Sequence, residues 1–96
     1  MKVIVFGGDG FCGWPTALHL SQLGHDITIV DNLSRRRIDE ELHCDSLTPI
    51  SSIEKRVSAW EELTDRKIEF VNIDIAQNYQ GLCAILENVS ADAVVH

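Results

Sequence analysis

The chain is short of everything that would announce a membrane, a secreted scaffold or a polyanion-binding surface. No apolar run approaches the roughly 18–20 residues needed to cross a bilayer, so a spanning helix is excluded. The opening Met1-Lys2 is followed by Val-Ile-Val-Phe, too short for a signal-peptide core and with no small-residue cleavage site behind it. Cysteine is scarce: Cys12, Cys44 and Cys83 are scattered, form no C-x-x-C pair and share no zinc-like spacing with histidine. A disulfide framework and a metal centre are both disfavoured, and the expected setting is a reducing, cytoplasmic one. Basic residues number 8 against 15 acidic, a net charge of −7, which argues against nucleic-acid binding because phosphate contacts need clustered Lys and Arg. The one basic cluster is Arg35-Arg36-Arg37.

What remains is an ordinary globular composition, 45% apolar and 24% charged, in 96 residues, enough for one small domain. Residues 3–6 form a continuous apolar run that suits a strand covered on both faces. A glycine-rich stretch follows, then a helical pattern over roughly 12–23, with Pro15 in its first turn and Gly24 at its end. Residues 27–30 read as a second strand closed by Asp31. Polar residues fill 32–66, where short helices are expected near 36–43 and 53–65. A third strand is expected over 68–72, a helix over 78–88 and the start of a fourth strand at 93–96. Strands alternating with helices predict an α/β fold with a parallel sheet, the N-terminal part of a Rossmann-type, doubly wound domain. A chain stopping at its fourth strand is expected to be part of a longer protein, with the substrate domain absent.

The chemistry lies in Gly7-x-x-Gly10-x-x-Gly13, set between the first strand and the first helix, with Asp31 18 residues beyond Gly13. Each position has a physical task in dinucleotide binding. Gly7 permits the tight turn, Gly10 lets a pyrophosphate approach the backbone, and Gly13 allows the helix to lie close to the sheet. Amides near Phe11 and Cys12 then face the pyrophosphate at the positive end of the helix. Asp31 accepts from the adenosine ribose hydroxyls and repels a 2′-phosphate, favouring NAD. The competing interpretation is a turn that merely reverses the chain, with Asp31 a solvated strand end. The arginine triplet is the counter-signal, since it could neutralise a 2′-phosphate, but Asp31 outweighs it because strand-end geometry fixes the acid. The triplet is otherwise either a solvated helix start or a source of one guanidinium reaching the adenosine. Asp74 and Ile75, after the third strand, would lie along the adenine, although Asp74 could equally cap the next helix. Cys12 is expected to be a small packed residue, Trp14 and Trp60 packing groups, His19 and His25 inert, and Tyr79 a surface residue without the Lys of a Tyr-x-x-x-Lys pair.

The glycine motif and strand-end acid resemble the extended short-chain dehydrogenase/reductases that act on nucleotide sugars. Less generic stretches resemble the UDP-sulfoquinovose synthase family. These are Gly7-Gly8-Asp9-Gly10-Phe11-Cys12-Gly13-Trp14 with residues 16–21, Val30-Asp31-Asn32-Leu33 with Arg35-Arg36, Ser46-Leu47-Thr48-Pro49-Ile50 with Ser52-Ile53, and Trp60-x-x-Leu63-Thr64. The resemblance implies NAD as cofactor, UDP-glucose and sulfite as substrates, and UDP-sulfoquinovose, for sulfolipid, as product. The implied route is oxidation at sugar C4, loss of water across C5–C6, sulfite addition at C6 and re-reduction at C4. It further implies cofactor-binding roles for Gly7, Gly10, Phe11, Cys12, Gly13, Asp31, Asn32, Leu33, Ser34, Asp74 and Ile75, with Arg36 a further candidate. Residues of about 32–66 become a family-specific insertion, and a homodimer is expected of the full-length protein. Catalytic Thr, Tyr and Lys would lie beyond His96, so this stretch carries no catalytic residue. The alternatives are a UDP-glucose 4-epimerase, a nucleotide-sugar 4,6-dehydratase, or a non-catalytic NAD-binding module.

Overall fold

Each apolar run becomes a strand of one parallel sheet. The computed structural model describes residues 1–96 and places β1 at Lys2–Phe6, β2 at Asp26–Asp31, β3 at Ile68–Asn72 and β4 at Ala93–Val95, in the spatial order β3-β2-β1-β4. Register follows the apolar residues: Val3 pairs with Ile27 and Ala93, Ile29 with Val5 and Phe70. Because side chains alternate along a strand, the two faces bury different residues. Val3, Val5, Ile27, Ile29 and Ile68 point to one face, Ile4 and Val30 to the other.

Helices α1 (Gly13–Gln22) and α3 (Ile53–Thr64) cover the first face; α4 (Tyr79–Val89) covers the second through Ile85. Helix α1 contributes the fully buried Ala17, small enough to bring its axis close to the sheet. It stops in a Schellman arrangement: Gly24, with φ of 95°, donates to the Ser21 carbonyl, and His25 donates to that of Leu20. Helix α3 starts where the Ser52 hydroxyl accepts from the Lys55 N–H at 3.3 Å. Its Ile53 is 1% exposed. Burial of such a side chain stabilises by about 1.5–3 kcal/mol, so α3 is a core element. Trp60 adds a half-buried polar link, its indole Nε1 donating to the Ser21 hydroxyl at 2.9 Å.

The stretch expected as an insertion is therefore of two kinds. Helix α3 is the crossover between β2 and β3 and completes the core. Helix α2 (Ser34–Glu41) buries no residue, and residues 42–52 are exposed throughout. Helix α2 begins two residues earlier than its composition suggested. The Asn32 side-chain oxygen accepts from the Ser34 N–H at 2.9 Å, and Leu33 takes a left-handed conformation (φ 56°) that turns the chain straight into the helix.

Candidate dinucleotide site at the carboxyl edge of the sheet

The glycine-rich loop leaves β1 at the carboxyl edge of the sheet. Gly7 has φ of 73°, a conformation that L side chains rarely adopt, and its N–H donates to the Val30 carbonyl at 2.9 Å. Gly10 folds back to donate to the Gly7 carbonyl at 3.0 Å. A Cβ on Gly13 would overlap that same carbonyl, so only glycine lets α1 start here. Gly8, not singled out in the sequence, is equally constrained: a Cβ there would collide with the side chain of Ile29.

The N–H groups of Phe11, Cys12 and Gly13 have no acceptor within the chain. Cys12 occupies the cap position of α1 and supplies no side-chain acceptor. Three amide donors are thus free at the positive end of a ten-residue helix, which is the chemistry a pyrophosphate requires. Gly10 is open enough to admit it, a Cβ there meeting only the Gly7 oxygen at 3.2 Å. The residues present fit a dinucleotide. Cys12 itself is exposed, not packed as expected, and Phe11 is 94% exposed.

Asp31 ends β2 beside this loop. Its Oδ1 accepts from the Leu33 N–H at 2.7 Å and its Oδ2 from the Asp9 N–H at 3.0 Å. Two main-chain amides thereby orient the carboxylate, and each oxygen keeps acceptor capacity for a ribose hydroxyl. Asn32, the next residue, reaches across to β3 and donates to Asp74 Oδ2 at 3.3 Å. Asp74 turns the chain after β3 by accepting from the Ala76 N–H at 3.0 Å. It does not cap α4; that position belongs to Asn78, whose side-chain oxygen accepts from Gly81 at 2.8 Å. Ile75 is half-buried against the cluster of Ile4, Val30 and Ile85. The structure thus brings together the glycine loop, Asp31 through Ser34, and Asp74 with Ile75 along one sheet edge, where ligands of open α/β sheets bind.

Arg36 is neither solvated nor free. Its fork grips the Asp9 carboxylate through Nε at 2.6 Å and Nη2 at 2.7 Å, and Nη2 also donates to the Ser51 carbonyl at 2.8 Å. Arg56 of α3 donates to Asp9 Oδ1 at 3.2 Å while its guanidinium lies 4.2 Å above the Trp14 ring. Asp9, Arg56 and this stacking went unnoticed in the sequence. The two arginines respond in opposite directions. Hydrogen bonding to Asp9 raises the pKa of Arg36 above the ordinary guanidinium value. Burial lowers that of Arg56, outweighing Asp9, and the charges of Arg36 and Arg35 add to the lowering. A cavity of about 400 Å³ opens beside Gly10, Trp14 and Arg56. A larger open hollow of about 800 Å³ lies over α2 and residues 43–50, walled mainly by charged and polar side chains and containing none of the glycines.

No protein-family model matches the chain. Sequence comparison does find relatives. A chloroplastic UDP-sulfoquinovose synthase of Spinacia oleracea is 47% identical over 95 residues, 99% of this chain and 20% of that protein. The UDP-sulfoquinovose synthase of Sulfolobus acidocaldarius is 40% identical over all of this chain and 24% of that one. The chain is similar to UDP-sulfoquinovose synthases. It spans a fifth to a quarter of the length of these two synthases. Among solved structures, a UDP-glucose 4-epimerase from Stenotrophomonas maltophila, with bound NAD and formylated UDP-arabinopyranose, superposes with a TM-score of 0.68. It is 28% identical, over 98% of this chain and 23% of the epimerase. The fold is of the Rossmann type.

Proposed function

We propose that the protein containing this chain is a UDP-sulfoquinovose synthase, and that these residues form the half-site for NAD. The observation that carries the reading is the 47% identity to a synthase along 99% of the chain, against 34% to a UDP-glucose 4-epimerase of Dictyostelium discoideum over the same share. Bound NAD would supply reversible hydride acceptance from C4 of UDP-glucose, with water lost across C5–C6 and sulfite added at C6 before re-reduction. The chain's own share is binding and orientation. Amides of Phe11, Cys12 and Gly13 take the pyrophosphate, Asp31 the adenosine ribose, and Asn32 with Leu33 and Ser34 shape the loop beside it. Asp74 and Ile75 flank the adenine. We place the reaction in a reducing compartment of cytoplasmic type, in keeping with the free thiols of Cys12 and Cys44.

The test supplies UDP-glucose, sulfite and NAD to the full-length protein and follows the sugar nucleotides by mass spectrometry. The expected product is the sulfonated sugar nucleotide. Formation of UDP-galactose instead would transfer the assignment to an epimerase. Binding of NAD with no turnover would favour a non-catalytic module.

A further inference from the structure

Asp9 is an acid inside a glycine-rich loop, and it is 3% exposed. Every polar part of it is engaged. Its carboxylate holds Arg36 and Arg56, with the Arg35 guanidinium 3.8 Å away. Its carbonyl accepts from Arg35 at 3.3 Å and Arg56 at 3.5 Å, and its N–H donates to Asp31. Three guanidinium groups gather around one buried carboxylate beside the end of β2, with the charges of Asp31 and Glu54 also reaching Arg36.

Guanidinium groups placed next to the acid that would clasp a ribose are the chemistry that holds a 2′-phosphate. Yet the forks of Arg36 and Arg56 are turned inward. We propose that Asp9 is a specificity-determining positioning residue: by occupying Arg36 and Arg56 it withholds them from a phosphate on the adenosine ribose, and so sets the choice of NAD over NADP jointly with Asp31. This rests on the dinucleotide reading above. Arg56 is doubly restrained, since stacking on Trp14 fixes its plane. Arg36 is the group that release of Asp9 would free, because its remaining bond goes to one carbonyl, that of Ser51.

The experiment measures the dissociation constants of NAD and NADP on the full-length protein by titration calorimetry. In Asp9→Asn the side-chain amide keeps one acceptor but loses the charge. The ratio Kd(NADP)/Kd(NAD) is expected to fall by roughly tenfold or more, the scale of a hydrogen bond to a charged group. Adding Arg36→Met should restore the original preference. A role confined to holding the loop together would weaken both nucleotides alike, and an unmoved ratio overturns the proposal. Should Asp9→Asn not fold, Arg36→Met alone decides. With its fork withheld by Asp9, loss of Arg36 is expected to leave the ratio unmoved; a ratio that rises shows that Arg36 already serves NADP in the wild type and overturns the proposal. A wild-type protein that binds neither nucleotide removes the dinucleotide reading itself, a different result from an unchanged ratio.

Discussion

The main-chain N–H of Asp9, in the glycine-rich loop, donates to Oδ2 of Asp31 at the end of β2, 22 residues away in sequence and 3.0 Å away in space. The acid that would clasp a ribose is therefore also a structural acceptor for the loop that would hold the pyrophosphate. Asp31→Ala leaves the amides of Asp9 and Leu33 without their acceptor. The expected loss is about 1–3 kcal/mol in urea unfolding, together with weakened NAD binding. Asp31→Asn keeps one acceptor oxygen and should recover part of the stability.

Gly13 and Gly10 separate folding from binding. A methyl on Gly13 meets main-chain atoms of Gly7 and Gly8, which cannot swing aside. Gly13→Ala is expected to destabilise by about 3 kcal/mol or more, seen as a lowered Tm. At Gly10 the added methyl meets one oxygen at 3.2 Å. Gly10→Ala should therefore hold its Tm within a few degrees while calorimetry shows reduced NAD affinity.

Trp60 and Ser21 form the polar link between α3 and α1. Ser21 is 2% exposed, so Trp60→Phe leaves its hydroxyl buried without the indole donor. A stability loss of about 1 kcal/mol is expected for Ser21→Ala, and more for Trp60→Phe. A double-mutant cycle should return a coupling, because the two residues touch. NAD binding should be unchanged throughout, since neither residue lies at the sheet edge that carries the site.

The Arg36 contact should be insensitive to working pH. Its guanidinium pKa is raised on folding, first by the hydrogen bond to Asp9. Stability from such a group is complete below its unfolded-state pKa and lost only as pH rises through the still higher folded value. Both lie far above neutrality. Moving from neutral to mildly alkaline pH should leave any Arg36-dependent difference in Tm, read against Arg36→Met, unaltered.

The strands and α1 were legible because local signals agreed: apolar runs such as residues 3–6 and 27–30, glycines at the turns, and Pro15 in a first turn. Their observed bounds, Lys2–Phe6, Asp26–Asp31 and Gly13–Gln22, differ from expectation by at most one residue at either end. The site glycines were equally legible, since a spacing of three with a strand before and a helix after is a local pattern. What was hidden depends on distance along the chain. Arg36 and Arg56 meet Asp9 across 27 and 47 residues, and nothing near Asp9 in the sequence marks a partner. The arginine triplet is compatible with a solvated helix start, a guanidinium at the adenosine or a counter-charge for a 2′-phosphate; its pairing with an internal carboxylate needed coordinates. Gly8 had no spacing to mark it, because its constraint comes from Ile29 on the neighbouring strand. Aspartate caps helices well, so Asp74 is a candidate cap in sequence; Asn78, four residues later, is the one placed to do it. The helix expected near 53–65 is α3, and Trp60 packs as expected. Its role as a core element was hidden in a segment, 32–66, that is polar on the whole, although Ile53, Val57 and Trp60 repeat at helical spacing toward the core.

Arg36 also donates to the Ser51 carbonyl. One side chain thus closes two loops of the polypeptide, of 27 and 15 residues, much as a branched cross-link would. Closing either alone sacrifices chain entropy for partial gain, whereas closing both shares a single immobilised side chain between them. The exposed 42–52 excursion, which has almost no core of its own, thereby acquires a fixed anchor at its far end. Its order is expected to vanish together with that of the glycine turn whenever this guanidinium lets go, so that protection of both segments from hydrogen exchange should rise and fall as one unit.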